Sequence, residues 1–177
     1  MSTRTYVILD AFTDTPLEGN PLAVFLNGSG LDTELMQRTA RELNLSETVF
    51  LLPPSDPAQA DAHARIFTPA AELPFAGHPV LGTAFLLAQR LGSDEIRLET
   101  GAGVIHVTLR REKGRPVYGE MDQPLPAYDA FEPAAELLAA LGVAESQLPV
   151  EAYCNGPQHV YVALSDEQQV ASLRPDL

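Results

Sequence analysis

Cysteine is nearly absent: Cys154 is the only one in 177 residues. An internal disulfide is therefore impossible, and no cysteine cluster can hold a metal. Basic residues are scarce too. Eleven Lys and Arg stand against 24 Asp and Glu, a formal net charge of -13. Phosphate backbones and anionic membrane surfaces need clustered positive side chains, so neither nucleic acid nor a membrane is an expected partner. An anionic ligand would need a local positive partner. Long apolar runs are missing as well. None nears the about 18 residues of a membrane span. The opening MSTRTYVILDAF has one arginine and a short strand-like run, without a signal-peptide core or cleavage site. The cytoplasm is the expected compartment. There is no internal repeat and no low-complexity tract.

What is present fits a folded chain: 45% apolar and 20% charged residues. Residues 5–11 and 20–26 read as strands. In 31–44, Leu31, Leu35, Met36, Thr39, Ala40 and Leu43 recur near helical spacing, with Asp32 or Thr33 as cap. SETVFLLPP reads as a buried strand closed by prolines, and 62–68 as another strand. A helix is expected from about Pro79 to Arg90, stopped by Gly92. Residues 95–100 and 103–110 form a hairpin around Gly101-Ala102-Gly103. Pro116, Pro124 and Pro126 mark the passage to a second strand-helix group. It holds a short helix from Pro133 to Leu141, a turn running into a strand in YCNGPQHVYVAL, and a final helical turn or two. The pattern is mixed α/β with mostly antiparallel strands.

Two features point to chemistry. In ELPFAGHPVLGTAFLLAQ, a glycine and a histidine stand at the mouth of an apolar helix. A helix N-terminus carries unpaired N–H groups and partial positive charge, which suits a carboxylate or phosphate. Gly77 lets a ligand approach the backbone, and His78 at the cap can donate a hydrogen bond or a proton. The same residues also fit a tight turn with a structural histidine. In ELNLSETVFLLPP, Glu47 heads a buried strand. Desolvation would raise its pKa from about 4.3 toward neutrality and suit it to general acid/base work. An exposed strand-end glutamate, or a plain Ser46-Glu47 turn, fits as well.

Other candidates point elsewhere. Gly101-Ala102-Gly103 is followed by a strand, so it is a turn and not a dinucleotide site. His63, His106 and His159 are scattered, with His63 and Arg65 on one solvent-facing strand face. Asp94, Glu95 and Glu99 read as a solvated face. No metal is implied.

GNPLAVFL, LNLSETVFLLP, RIFTPAAELPFAGHPVLGTAFLL and NGPQHVYVAL, in this order, resemble the PhzF family of phenazine-biosynthesis isomerases. The resemblance covers nearly the whole chain. It implies an α/β fold of the α+β type, that of diaminopimelate epimerase: curved mixed sheets, each wrapped around a central apolar helix, with the active site in the cleft between two domains. On this reading 1–116 is a complete first domain with its central helix at about 79–90. Residues 117–177 are the start of a second, incomplete domain. Glu47 matches the family's proton-transferring glutamate, Gly77 and His78 its substrate-holding pair, and Asn20 its Gly-Asn-Pro segment lining the cleft.

The implied chemistry is cofactor-free. Glu47 moves a proton between carbons of a small anionic cyclic acid, dihydro-hydroxyanthranilate-like, while His78 and the helix mouth hold it. Racemases of this fold carry a cysteine where Gly-His-Pro stands here, so two-thiol racemization is not expected, and Cys154 reads as a small buried filler. Family members continue beyond the segment resembling SLRPDL, and an acidic Glu-Asp-Pro-x-Thr-Gly-Ser type motif at their second central helix is absent here. Three alternatives follow: a fragment or truncated product, one half of a split enzyme completed by a C-terminal half, or a non-catalytic binding relative. A homodimer is the other expected assembly.

Overall fold

The computed structural model describes residues 3–123 and 125–175. Pro124, expected to mark the domain passage, lies outside them, as do the first two residues of MSTRTYVILDAF and the last two of SLRPDL. The chain divides into two compact units, 1–124 and 125–177.

In the first unit, seven strands form a continuous sheet. They are β1 (Tyr6–Ala11), β2 (Asn20–Phe25), β3 (Glu47–Leu52), β4 (Ala62–Phe67), β6 (Glu95–Thr100), β7 (Gly103–Glu112) and β8 (Arg115–Met121). They lie in the order β1-β2-β3-β4-β6-β7-β8, and the two-residue β5 (Glu72–Leu73) pairs with β4. Pairing is antiparallel except at β2·β3 and β4·β6. The sheet curls around α2 (Gly77–Leu91), which touches β1, β2, β3, β6, β7 and β8.

The sequence explains why α2 sits at the centre. Val80, Thr83, Ala84, Leu87 and Ala88 are all buried, on more than one helix face. Close approach is built in at two glycines. A Cβ at Gly82 would stand 2.8 Å from Leu9 Cδ1 and 2.9 Å from Leu22 Cδ2; one at Gly119 would stand 2.7 Å from the Phe85 ring. The helix stops at Gly92, whose left-handed φ of 69° suits glycine. Arg111 of β7 then clamps that end. Its Nη2 donates to the carbonyls of Ala88 (2.7 Å) and Ser93 (2.9 Å), its Nη1 to Gly114 O, and its Nε to Asp94.

The other face of the sheet carries α1 (Thr33–Leu43), packed on β3 and β4. Asp32 is its cap and accepts a 2.7 Å bond from Leu35 N–H. Strand β3 is therefore covered on both sides. Val49 and Leu51 join the α2 core, while Phe50 joins a separate cluster with Phe25, Met36, Ala40 and Phe67. Full burial of each such side chain is worth about 1.5–3 kcal/mol.

The second unit holds a three-stranded sheet, β11-β10-β9, of β9 (Ala127–Ala130), β10 (Glu151–Cys154) and β11 (Gln158–Tyr161). Two short helices, α3 (Ala134–Leu141) and α4 (Glu167–Ser172), bury no residue. Tyr128 stacks on Tyr153, and Tyr161 meets the Tyr153 ring edge-to-face.

Several expectations change. The boundary drawn at 116/117 moves to 124/125, because residues 115–121 pair along β7 as an eighth strand. Pro116 sits inside that edge strand at a register shift, where its missing N–H is tolerated. The Gly101-Ala102-Gly103 turn is where it was expected, and its Gly103 needs φ of 110°. Asp94 and Glu99 are not merely solvated: Asp94 pairs with Arg111, and Glu99 accepts 2.6 Å bonds from Ser55 N–H and Oγ. Arg65 pairs with Glu72 and so does not simply face solvent. Cys154 is exposed, not a buried filler, because β10 carries it at the sheet's open end.

Candidate functional site

Three expected site residues meet at one end of the first unit. Asn20 opens β2, Glu47 opens β3, and His78 is the second residue of α2. Parallel pairing sets Leu22 beside Glu47, so the heads of both strands lie at the same edge. The helix starts two residues earlier than the sequence suggests. Ala76 is the N-cap, with no side-chain capping bond. Gly77 and His78 are thus in the first turn rather than outside it. Their N–H groups have no partner within the helix, and Pro79 brings none to satisfy.

Glu47 Oε2 lies 3.0 Å from His78 Nε2, with the side chains 15% and 10% exposed. Both atoms are shut off from solvent, yet neither has an aligned hydrogen-bond partner. Unsatisfied buried polar atoms of this kind are rare and mark a place where a ligand group can enter. Behind the pair runs a hydrogen-bonded chain. Asn20 Nδ2 is 3.2 Å from His78 Nδ1, Ser46 Oγ donates toward Asn20 Oδ1 at 3.0 Å, and the Pro21 carbonyl is also 3.0 Å from Ser46 Oγ.

The charge state of Glu47 corrects the expectation of a raised pKa. Burial pushes the carboxyl up and is the largest single influence. The His78 ring 3.0 Å away and, less strongly, the Ser46 hydroxyl together pull it down further. The net result is below the ordinary glutamate value, so the group is a carboxylate at neutral pH.

Two neighbours were not legible as site residues. Ser46 reads as a turn residue, and only its position just before a candidate base hints at more. Phe12 adopts a left-handed φ of 63°, rare for a bulky side chain, and is 72% exposed with its ring 6.3 Å from His78. At Gly77, an added Cβ would meet only the flexible end of Met121, at 3.3 Å. Among the described residues no group of three or more His, Cys, Asp or Glu is arranged to hold a metal ion. No helix among them is long and apolar enough to cross a membrane.

The family model for phenazine biosynthesis-like proteins matches residues 9–177. The chain belongs to this family. It is 49% identical over 171 residues to a trans-2,3-dihydro-3-hydroxyanthranilate isomerase of Pseudomonas aeruginosa, covering 97% of this chain and 61% of the relative. A solved PhzF-family phenazine biosynthesis protein of Bacillus anthracis is 28% identical and superposes with a TM-score of 0.80, over 99% of this chain and 60% of that one. A hydroxyproline epimerase of Agrobacterium vitis, 17% identical, superposes with a TM-score of 0.56 over 86% of this chain and 50% of that one, a likeness of fold alone. The epimerase-like fold expected from the motifs is therefore the observed one. The expectation of a missing C-terminal part is not borne out by the family match, which runs through residue 177. The chain spans about 61% of the length of the curated relative.

Proposed function

We propose that this chain carries the site of a cofactor-independent isomerase acting on a small cyclic carboxylic acid of the dihydro-hydroxyanthranilate kind. The observation that carries the reading is the Glu47–His78 pair: a shielded carboxylate, held ionised, 3.0 Å from an imidazole at the mouth of a helix. The 49% identity to an isomerase of that name supplies the substrate class.

In the first step a ring C–H bond breaks and its proton passes to a Glu47 oxygen. The electron pair shifts through the ring's double bonds. In the second step Glu47, whose proton exchanges with solvent while the intermediate is bound, protonates another carbon on the same face, and the carboxylate is regenerated. One residue acts as base and then as acid, so no net proton and no cofactor is required. The substrate carboxylate lies against the first-turn N–H groups of Gly77 and His78, where the helix dipole favours an anion. Asn20 supports His78 rather than contacting the substrate. Positioned acid/base transfer supplies about 10²- to 10⁴-fold.

Residues 125–177 belong to a second epimerase-like domain. The working form is a homodimer in the cytoplasm. A second reading, a binding relative without catalysis, is favoured by one observation: Tyr128, Val160 and Tyr161 are exposed on the small sheet. The two readings separate on Glu47→Gln. The isomerase reading expects lost turnover with ligand affinity unchanged by calorimetry, and retained turnover would sink it.

A further inference from the structure

His78 has a polar neighbour at each ring nitrogen. Nε2 faces Glu47 Oε2 at 3.0 Å, and Nδ1 faces Asn20 Nδ2 at 3.2 Å. An amide nitrogen carries protons and no usable lone pair. Opposite it, Nδ1 has to accept. A neutral imidazole then keeps its one proton on Nε2, beside the carboxylate. The opposite tautomer would set a bare Nε2 against a carboxylate oxygen and a ring N–H against the amide N–H groups.

Which end of the amide faces the ring is decided one residue further back. Ser46 Oγ has a single proton and, besides the Glu47 carboxylate, two acceptors at 3.0 Å, Asn20 Oδ1 and the Pro21 carbonyl. When the serine donates to Asn20 Oδ1, the amide oxygen is occupied and its nitrogen points at His78. If the amide turned over, its N–H would point at Ser46, and the serine proton would have to go to Pro21 or Glu47. The Asn20 oxygen would then demand a proton on Nδ1. The serine hydroxyl is thus the setting of the whole chain.

We propose that Asn20, oriented by Ser46, is a positioning residue that fixes neutral His78 as an Nε2–H donor. His78 then presents a hydrogen bond to the ligand and takes no proton from it, which leaves Glu47 as the sole base. Nε2 is shut off from solvent with no aligned acceptor on the protein, as a donor waiting for a ligand group would be. The ligand's nature rests on the isomerase reading above; the tautomer does not.

The test is long-range ¹H–¹⁵N NMR on the chain labelled at histidine, at a pH where imidazole is neutral, with His78 signals identified by their loss in His78→Gln. The expected wild-type pattern is a protonated Nε2 and a lone-pair Nδ1. A neutral His78 protonated at Nδ1 overturns the proposal, whatever the variants do. Asn20→Asp offers Nδ1 only acceptors and should move a proton onto it; an unchanged His78 pattern there also overturns it. Ser46→Ala should give a mixture of tautomers, and Ser46→Thr, which keeps a hydroxyl, should restore the wild-type pattern. An unchanged pattern in Ser46→Ala removes Ser46 from the assignment. If Glu47→Gln keeps full turnover while the wild-type tautomer is as expected, the isomerase reading fails and this inference stands.

Discussion

Arg111→Met should loosen the C-terminal end of α2 and lower the stability of the first unit by about 2–3 kcal/mol. The guanidinium, 21% exposed, donates to three backbone carbonyls and to Asp94. Hydrogen bonds from a charged donor are each worth about 1.5–3 kcal/mol. Much of that gross sum is recovered in the variant. Ala88 O keeps its 3.0 Å bond from Gly92 N–H, and the exposed Gly114 and Asp94 regain water. The Asp94 pair, at the surface, adds about 0–1 kcal/mol. Methionine keeps most of the packing volume, so the loss reports the clamp and not a cavity. The chain has no tryptophan, so far-UV circular dichroism in urea is the suitable probe. Arg111→Lys should recover less than half of the loss, because an ammonium lacks the planar fork that reaches carbonyls on two sides. A change under about 0.5 kcal/mol in Arg111→Met would refute the idea that this clamp holds the central helix.

Removing His78 should reverse the titration of Glu47. His78→Phe keeps the burial, which raises the carboxyl's pKa, and deletes the main opposing influence. Glu47 should then titrate above the ordinary glutamate value of about 4.3, read by ¹³C NMR of its carboxyl; titration below that value would contradict the assignment. In the wild type the depressed pKa means that the stability gained from ionised Glu47 is present above the unfolded-state pKa. It is lost as pH falls through the lower, folded value. The His78→Phe variant should lack that loss in acid unfolding curves. Thr83 Oγ1 is fully buried without a hydrogen-bond partner, so Thr83→Val should raise stability by about 1 kcal/mol in urea denaturation. Asp32→Ala removes the α1 cap and should lower stability by about 1 kcal/mol in the same assay.

The central helix was legible because two kinds of signal agree there. Apolar residues cover more than one face, and Gly92 supplies the stop. Strands such as β3 were legible from buried β-branched and aromatic runs. Strand β8 was not, because Pro116 and Gly119 look like linker residues; Gly119 is there to let the Phe85 ring approach, which no local pattern reveals. The exposed β9 has no apolar alternation at all and exists through its pairing with β10.

At the site, Glu47 and His78 each looked unusual alone, but spacing along the chain does not bring them together; the family motifs did. The direction of the Glu47 shift was misread for the same reason. Burial can be inferred from a strand's composition, whereas a partner 31 positions away cannot. Ser46 was hidden in full view, since a hydroxyl in a turn is ordinary until the fold puts it behind Asn20.

The measurement that bears most directly on the account is solvent deuterium uptake. Trans-2,3-dihydro-3-hydroxyanthranilate would be incubated in D₂O with the wild-type chain and with Glu47→Gln, and the ring carbons followed by NMR. The account predicts deuterium at a ring carbon with the wild type and none with Glu47→Gln. No uptake with the wild type, or equal uptake with both, would contradict it.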